Sequence, residues 1–154
     1  MNSKHLVILA LLGLSSCNGR QNYTPYDGTD AATLRLYNNS AGHLMVSAYK
    51  DPARCTGTRT LTPMTGQQQF DMKIPANTVF NFSALLELHP ELRVTESGRQ
   101  AGHKFYTFTP KAGGFYEFVI EAKDPQWSGS LFERDPGGRF LPAPYQLAGG
   151  GNCR

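Results

Sequence analysis

The sequence predicts an all-β protein, folded as an antiparallel β-sandwich of about seven strands, Ig-like or transthyretin-like in plan. Two observations carry this reading. Apolar residues recur with period two at 34–36, 44–48, 70–74, 80–84 and 116–120, and no ten-residue stretch keeps a helical period. The chain is also rich in turn formers, with 16 glycines and 10 prolines in 154 residues, which suits short strands joined by tight connections.

Taken in order, Ala32–Asn38 alternates Leu34 and Leu36 against Thr33, Arg35 and Tyr37. Asn39-Ser40-Ala41-Gly42 is turn chemistry, and His43–Lys50 alternates again, with Leu44, Val46 and Ala48 on one face. These two runs read as the strongest hairpin in the chain. Asp51–Gly66 reads as a long loop carrying Cys55. Gln68–Ile74 sets Phe70, Met72 and Ile74 on one face, Pro75-Ala76-Asn77 turns, and Thr78–Leu86 brings Phe80, Phe82 and Ala84 together. Leu85–Leu92 reads either as more strand or as a helical turn, with Pro90 against a long helix. Leu92 and Val94 alternate once more, and Glu96–Gly102 reads as loop.

His103–Thr109 and Gly114–Ala122 read as a second hairpin-like pair around Pro110-Lys111-Ala112-Gly113. Their six rings, Phe105, Tyr106, Phe108, Phe115, Tyr116 and Phe118, cannot share one core, because neighbours along a strand face opposite ways. Either the sheet is covered on both sides, with Trp127–Tyr145 as the natural cover, or some rings form a contact surface. Trp127–Arg134 reads as a further strand and Asp135-Pro136-Gly137-Gly138-Arg139 as a hairpin turn. Arg139–Gln146 contains Pro142 and Pro144, which confine it to an edge or to irregular structure.

The N-terminus carries a different signal. Met1-Asn2-Ser3-Lys4-His5 is a short positive region, and Leu6–Leu14 is an apolar run of nine residues, within the signal-peptide range and about half of what a bilayer-spanning helix needs. Leu14-Ser15-Ser16-Cys17 follows, and this segment resembles the lipobox of bacterial lipoproteins. The resemblance covers residues 1–17. It implies that residues 1–16 are a signal peptide cleaved after Ser16, that the Cys17 thiol carries a diacylglycerol thioether, and that the new amino group is acylated. Several acyl chains together hold a protein firmly at a membrane where one would be marginal. By the family's sorting tendency, Asn18 rather than Asp after the cysteine implies the outer membrane, facing the periplasm. Residues 17–31 then form the lipidated Cys17 and a flexible tether spanning roughly 20 Å as a random coil, and residues 32–154 form the sandwich domain. Tyr23 and Tyr26 could instead dock on the domain or sit at the membrane interface.

Removing residues 1–16 leaves 138, enough for one domain with a sizeable core. It takes away Lys4 and no acid, so the formal charge falls from +3 to +2. A charge that small, without a basic run, gives no case for a nucleic-acid partner. Of the three cysteines the lipobox takes Cys17, and the even remainder, Cys55 and Cys153, reads as one disulfide in an exported chain; the alternative is two unpaired thiols.

Catalytic patterns are sparse. There is no Gly-x-Ser-x-Gly, and His43, His89 and His103 read as solvated or turn-capping side chains rather than as bases beside a nucleophile. No His-x-x-x-His spacing suggests zinc. Glu87, Glu91, Glu96, Glu117, Glu121 and Glu133 could pair for glycoside hydrolysis, yet acids on strands and loops are ordinarily a solvated face. The expectation is therefore no catalytic residue, no metal and no cofactor. The protein reads as a non-enzymatic envelope lipoprotein, a protein-binding or structural module whose partners are the membrane, through covalent lipid, and another envelope protein. The other reading is an inhibitor or immunity lipoprotein that blocks a periplasmic lytic enzyme with Asp51–Gly66 or Glu96–Gly102.

Overall fold

The computed structural model of the protein describes residues 24–51, 56–61, 63–88, 100–123 and 126–148. Ten strands run through them: β1 (Ala31–Asn39), β2 (His43–Asp51), β3 (Thr56–Thr60), β4 (Gln69–Pro75), β5 (Phe80–Glu87), β6 (Gln100–Phe108), β7 (Phe115–Lys123), β8 (Gln126–Arg134), β9 (Phe140–Pro142) and β10 (Gln146–Ala148). One sheet has the order β4-β1-β7-β8-β9 and the other β10-β6-β5-β2-β3, and the two pack face to face. The fold is the expected all-β sandwich, and the period-two residues build its core. Leu34 and Leu36 of β1, Met72 and Ile74 of β4, and Phe118 and Ile120 of β7 face Leu44 and Val46 of β2 and Phe80 and Phe82 of β5. Aromatic rings lock the sheets together. The Phe118 ring lies 4.8 Å from Phe82 and 4.6 Å from Tyr106, and Phe108 lies 5.2 Å from Tyr116. Such pairs contribute about 0.5–1.5 kcal/mol each beyond their buried area.

Neither expected hairpin forms. β1 pairs with β4 and β7, whereas β2 pairs with β3 and β5 in the opposite sheet. The connection Asn39–Gly42 is a corner through which the chain crosses the sandwich, and Asn38 holds it. This fully buried side chain donates from Nδ2 to the carbonyls of Gly42 (2.9 Å) and Met64 (3.3 Å). Its Oδ1 accepts from the Ser40 amide (3.2 Å) and hydroxyl (2.6 Å), and the Gly42 amide donates to Ser40 Oγ (3.1 Å). A crossing corner carries backbone groups with no ladder partner, and a buried amide supplies what the ladder does not.

β6 and β7 likewise belong to different sheets. Their connection is tied to neighbouring elements: the Pro110 carbonyl accepts from the Asn77 amide (2.7 Å) and the Gly113 amide donates to the Ala31 carbonyl (2.8 Å). Gly113 sits at φ +71°, in the left-handed region that glycine adopts without strain. β7 then runs parallel to β1, from Thr33 opposite Phe115 to Asn39 opposite Glu121, while the other strand pairs are antiparallel. Alternation fixes which side of a strand faces the core, but it does not fix the partner strand.

Other differences are local. The Asp51–Gly66 stretch contains β3, and its return passes alongside β2: Leu61 donates to the Val46 carbonyl (2.7 Å) and Leu44 to the Met64 carbonyl (2.8 Å). β6 begins at Gln100, inside the stretch expected as loop to Gly102. Leu85–Glu87 continues β5 as strand, with a register shift between Leu85 and Glu87; residues 89–92 lie outside the described residues. The proline-bearing segment does supply edges, β9 on one sheet and β10 on the other. Asp135–Arg139 closes the β8–β9 hairpin, with the Asp135 amide donating to the Arg139 carbonyl (2.8 Å) and Gly138 at φ +84°.

Candidate functional site

Among the described residues, no group of three or more His, Cys, Asp and Glu is placed to hold a metal ion. No described helix is long and apolar enough to cross a membrane. The residues considered for chemistry are dispersed by the fold. His43 opens β2 opposite Glu87, and His103 lies on β6 opposite Leu85 with its ring 4.6 Å from Phe105. Burial there lowers the His103 pKa, so the neutral imidazole is favoured. Glu117 lies beside Arg35, and Glu133 is bound to Lys111, both as ion pairs. His89, Glu91 and Glu96 lie outside the described residues, as do Cys17, Cys55 and Cys153.

The fold assembles instead a face of charged and aromatic side chains on the outside of the β1 sheet. Outward residues of β1, β4 and β7 line up across the register, with Asp71, Arg35 and Glu117 in one row and Lys73, Thr33 and Phe115 in the next. Arg35 grips Asp71 with two parallel bonds, Nε to Oδ1 at 2.7 Å and Nη2 to Oδ2 at 2.9 Å. Its Nη1 lies 3.9 Å from Glu117 Oε2. The hydrogen bonds from Arg35 hold the Asp71 carboxyl below its ordinary pKa. The same guanidinium lies over the Phe115 ring at 5.1 Å, and Arg134 lies over that ring at 5.8 Å. Phe140 meets Phe115 edge-on at 6.1 Å, and Phe132 stands opposite Glu117 on the adjacent strand.

Beside this face, an open groove of about 510 Å³ runs between the Lys111–Gly114 turn and the Glu133–Gly138 turn. Lys111 Nζ binds both Glu133 oxygens, at 2.9 and 3.0 Å. Tyr116 Oη accepts from the Lys111 amide (3.0 Å) and lies 3.4 Å from Glu133 Oε1. These contacts fix the turns rather than leave a reactive group facing solvent.

The six rings divide as period two demands. Tyr106, Phe108, Tyr116 and Phe118 enter the core, and Phe105 and Phe115 face outward. Phe105 is covered on its own sheet by His103 and by Tyr49, which stacks on it at 6.2 Å. Tyr49 Oη also hydrogen-bonds Ser83 Oγ (3.0 Å), which burial leaves 1% exposed. Of the expected cover, Tyr145 packs on Tyr106 at 5.8 Å and Phe140 on Phe115. Phe115 is thus partly framed, and the face around it remains open on Phe132, Arg35 and Arg134.

Sequence reasoning did not single out Arg35, Asp71, Phe132 or Arg134. Arg35 was visible only as an outward residue of an alternating run. Its clamp on Asp71 joins residues 36 positions apart, through strand pairing that no local signal encodes.

No protein-family model matches the chain, and no curated protein matches it at a significant level. Among solved structures, a protein from Eubacterium rectale determined by NMR is similar over 69% of this chain and 92% of that chain, at 14% identity and a TM-score of 0.36.

Proposed function

We propose that the protein is a non-enzymatic lipoprotein of the bacterial envelope, anchored to the outer membrane through acylated Cys17, which binds another envelope protein through the outer face of the β1 sheet. One observation carries the choice of face: half-buried Phe115 is framed by two guanidinium groups and the Phe140 ring, with Phe132 beside it, on the outer side of the sheet. Arginine and aromatic side chains dominate the energetic centres of protein interfaces, the rings because they bury much area at small entropic cost and arginine because it brings directional donors. The Arg35–Asp71 clamp supports the reading further, since it holds one guanidinium in place before any partner arrives.

In this proposal residues 1–16 are removed, the thiol of Cys17 bears the lipid, and Cys55 is bonded to Cys153. The test is affinity capture from envelope extract with the parent protein and with a Phe132→Asp, Arg134→Ala variant of equal thermal stability. A partner captured by the parent and lost with the variant is the expected result. Identical capture by both moves the contact away from this face and refutes the assignment.

A further inference from the structure

Five large apolar side chains are exposed among the described residues: Val79, Phe140, Leu141, Tyr145 and Leu147. The registers gather them toward one end of the sandwich. Val79 precedes Phe80, the first residue of β5, which stands opposite Phe108, the last of β6. Phe140 opens β9 opposite Arg134, the last residue of β8. Tyr145 precedes β10, whose first residue pairs with Thr107, so it is level with the same end. Leu141 and Leu147 follow one and two residues further in. Val79 is 50% exposed and Leu147 62%, a cost for apolar side chains left in water, whereas Phe140, 39% exposed, packs on Phe115, and Tyr145 packs on Tyr106 and donates from Oη to the Gly129 carbonyl (2.9 Å). The opposite end is polar in its described corners, at Asn39, Ser40, Gln67, Gln68, Glu121 and Gln126.

Two further observations concern the same end. β1 begins there, with the Asp30 carbonyl accepting from the Ala76 amide (2.9 Å) and the Ala31 carbonyl from the Gly113 amide (2.8 Å), while the segment before it is tied to β4 by the Tyr26 amide donating to the Lys73 carbonyl (3.2 Å). Six residues separate Cys17 from Thr24, the first described residue, a reach of at most about 24 Å. The cationic side chains beside the apolar rim are long and exposed: Lys111 pairs with Glu133 and Arg139 with Asp135, while Arg134 at the same end lies over the Phe115 ring.

We propose that this end of the sandwich docks on the lipid bilayer that Cys17 anchors, seating Val79, Phe140 and Tyr145 at the boundary between headgroups and acyl chains. The inference rests on the lipid anchor read for Cys17. A tether this short keeps the rim at about millimolar effective concentration beside the surface, so a weak intrinsic affinity suffices for docking. Because Lys111 and Arg139 are paired with acids, apolar contact rather than lipid charge carries the docking, which therefore occurs on neutral and on anionic lipid alike. Docked in this way, the strands stand upright on the membrane and the outer face of the β1 sheet, with Phe132 and Arg35, is presented sideways to a partner.

Two samples separate docking from anchoring. In the first, the protein is purified from membranes and reconstituted into vesicles of phosphatidylethanolamine and phosphatidylglycerol. In the second, a hexahistidine tag replaces residues 1–17 and holds the chain on phosphatidylcholine or phosphatidylglycerol vesicles that contain a nickel-chelating lipid. Hydroxyl-radical labelling of Phe140 and Tyr145 is read against Tyr37 and Met45, which lie toward the other end of their strands. Labelling of Phe140 and Tyr145 falls at least threefold on both kinds of vesicle relative to the same chain released with imidazole, while Tyr37 and Met45 do not change. Val79→Asp with Phe140→Asp removes the protection. Equal labelling of held and released chain overturns the docking. An absence of acyl mass in the first sample overturns the anchor instead, and the second sample still decides whether the rim binds lipid.

Discussion

Replacing Asn38 with alanine tests the corner that sends β1 and β2 into opposite sheets. The substitution removes one acceptor and one donor group that together serve four hydrogen bonds: two from Ser40 and two to the carbonyls of Gly42 and Met64. The Met64 carbonyl keeps the Leu44 amide as a donor (2.8 Å), so its loss is small. The Ser40 amide and hydroxyl and the Gly42 carbonyl lose their bonds to Asn38 in a buried corner. At about 1 kcal/mol or somewhat more for each group left unsatisfied, the cost is roughly 3–4 kcal/mol. That is a large share of a total stability of about 5–15 kcal/mol. With a urea slope of about 2 kcal/mol per molar, the unfolding midpoint falls by roughly 1.5–2 M at unchanged slope. Ser40→Ala, which leaves Asn38 in place, loses roughly a third as much. A midpoint shift below about 0.5 M for Asn38→Ala would refute the claim that this side chain holds the corner.

The same packing arguments yield three further expectations. A Cβ at position 129 would sit 2.2 Å from Phe118 Cζ and 2.8 Å from Tyr106 Oη, in the ring cluster that joins the sheets, so Gly129→Ala destabilises by about 1–3 kcal/mol in a thermal melt. Asp71 has a carboxyl pKa lowered by the hydrogen bonds from Arg35, so its contribution to stability is present above the ordinary carboxylate range and is lost as pH falls through the lowered folded value. Asp71→Asn therefore flattens the loss of stability below about pH 4, measured by urea melts across pH, and an unchanged profile would contradict the clamp. With the proposed Cys55–Cys153 bond, Cys153→Ser opens a loop of almost a hundred residues and costs roughly 2–4 kcal/mol, less than the chain-entropy value of about 4–5. The edge strand β10 then becomes protease-sensitive while β8, paired with β7 and buried through Trp127 and Leu131, persists; recovery of free Cys55 and Cys153 thiols from envelope-exposed protein would end that account.

What was legible in the sequence was what depends on period. The alternation of Leu34 with Leu36, of Phe80 with Phe82, and of Tyr116 with Phe118 identifies strands and their buried sides before any pairing is known. Pairing was not legible, because Asn39-Ser40-Ala41-Gly42 has the composition of a tight turn and the buried contacts of a corner. Only the third party to that corner, the Met64 carbonyl 26 residues away, distinguishes the two. β3 was hidden for a related reason: its threonines suit a strand, but Thr-Gly-Thr-Arg-Thr lacks an apolar alternation to announce it. The outer face was harder still. Arg35, Asp71 and Phe115 come from three strands whose neighbourhood exists only once β7 lies parallel to β1.

The most direct test of the account is the covalent state of Cys17, since the tether, the membrane and the orientation of the sandwich all depend on it. Intact-mass analysis of protein extracted from the membranes of expressing cells should show a chain lacking residues 1–16 and carrying the mass of a diacylglycerol thioether with an acylated amino group at Cys17. A Cys17→Ala variant should leave the membrane fraction. Unmodified protein recovered in soluble form from wild-type cells, or a Cys17→Ala variant that stays membrane-bound, would contradict it.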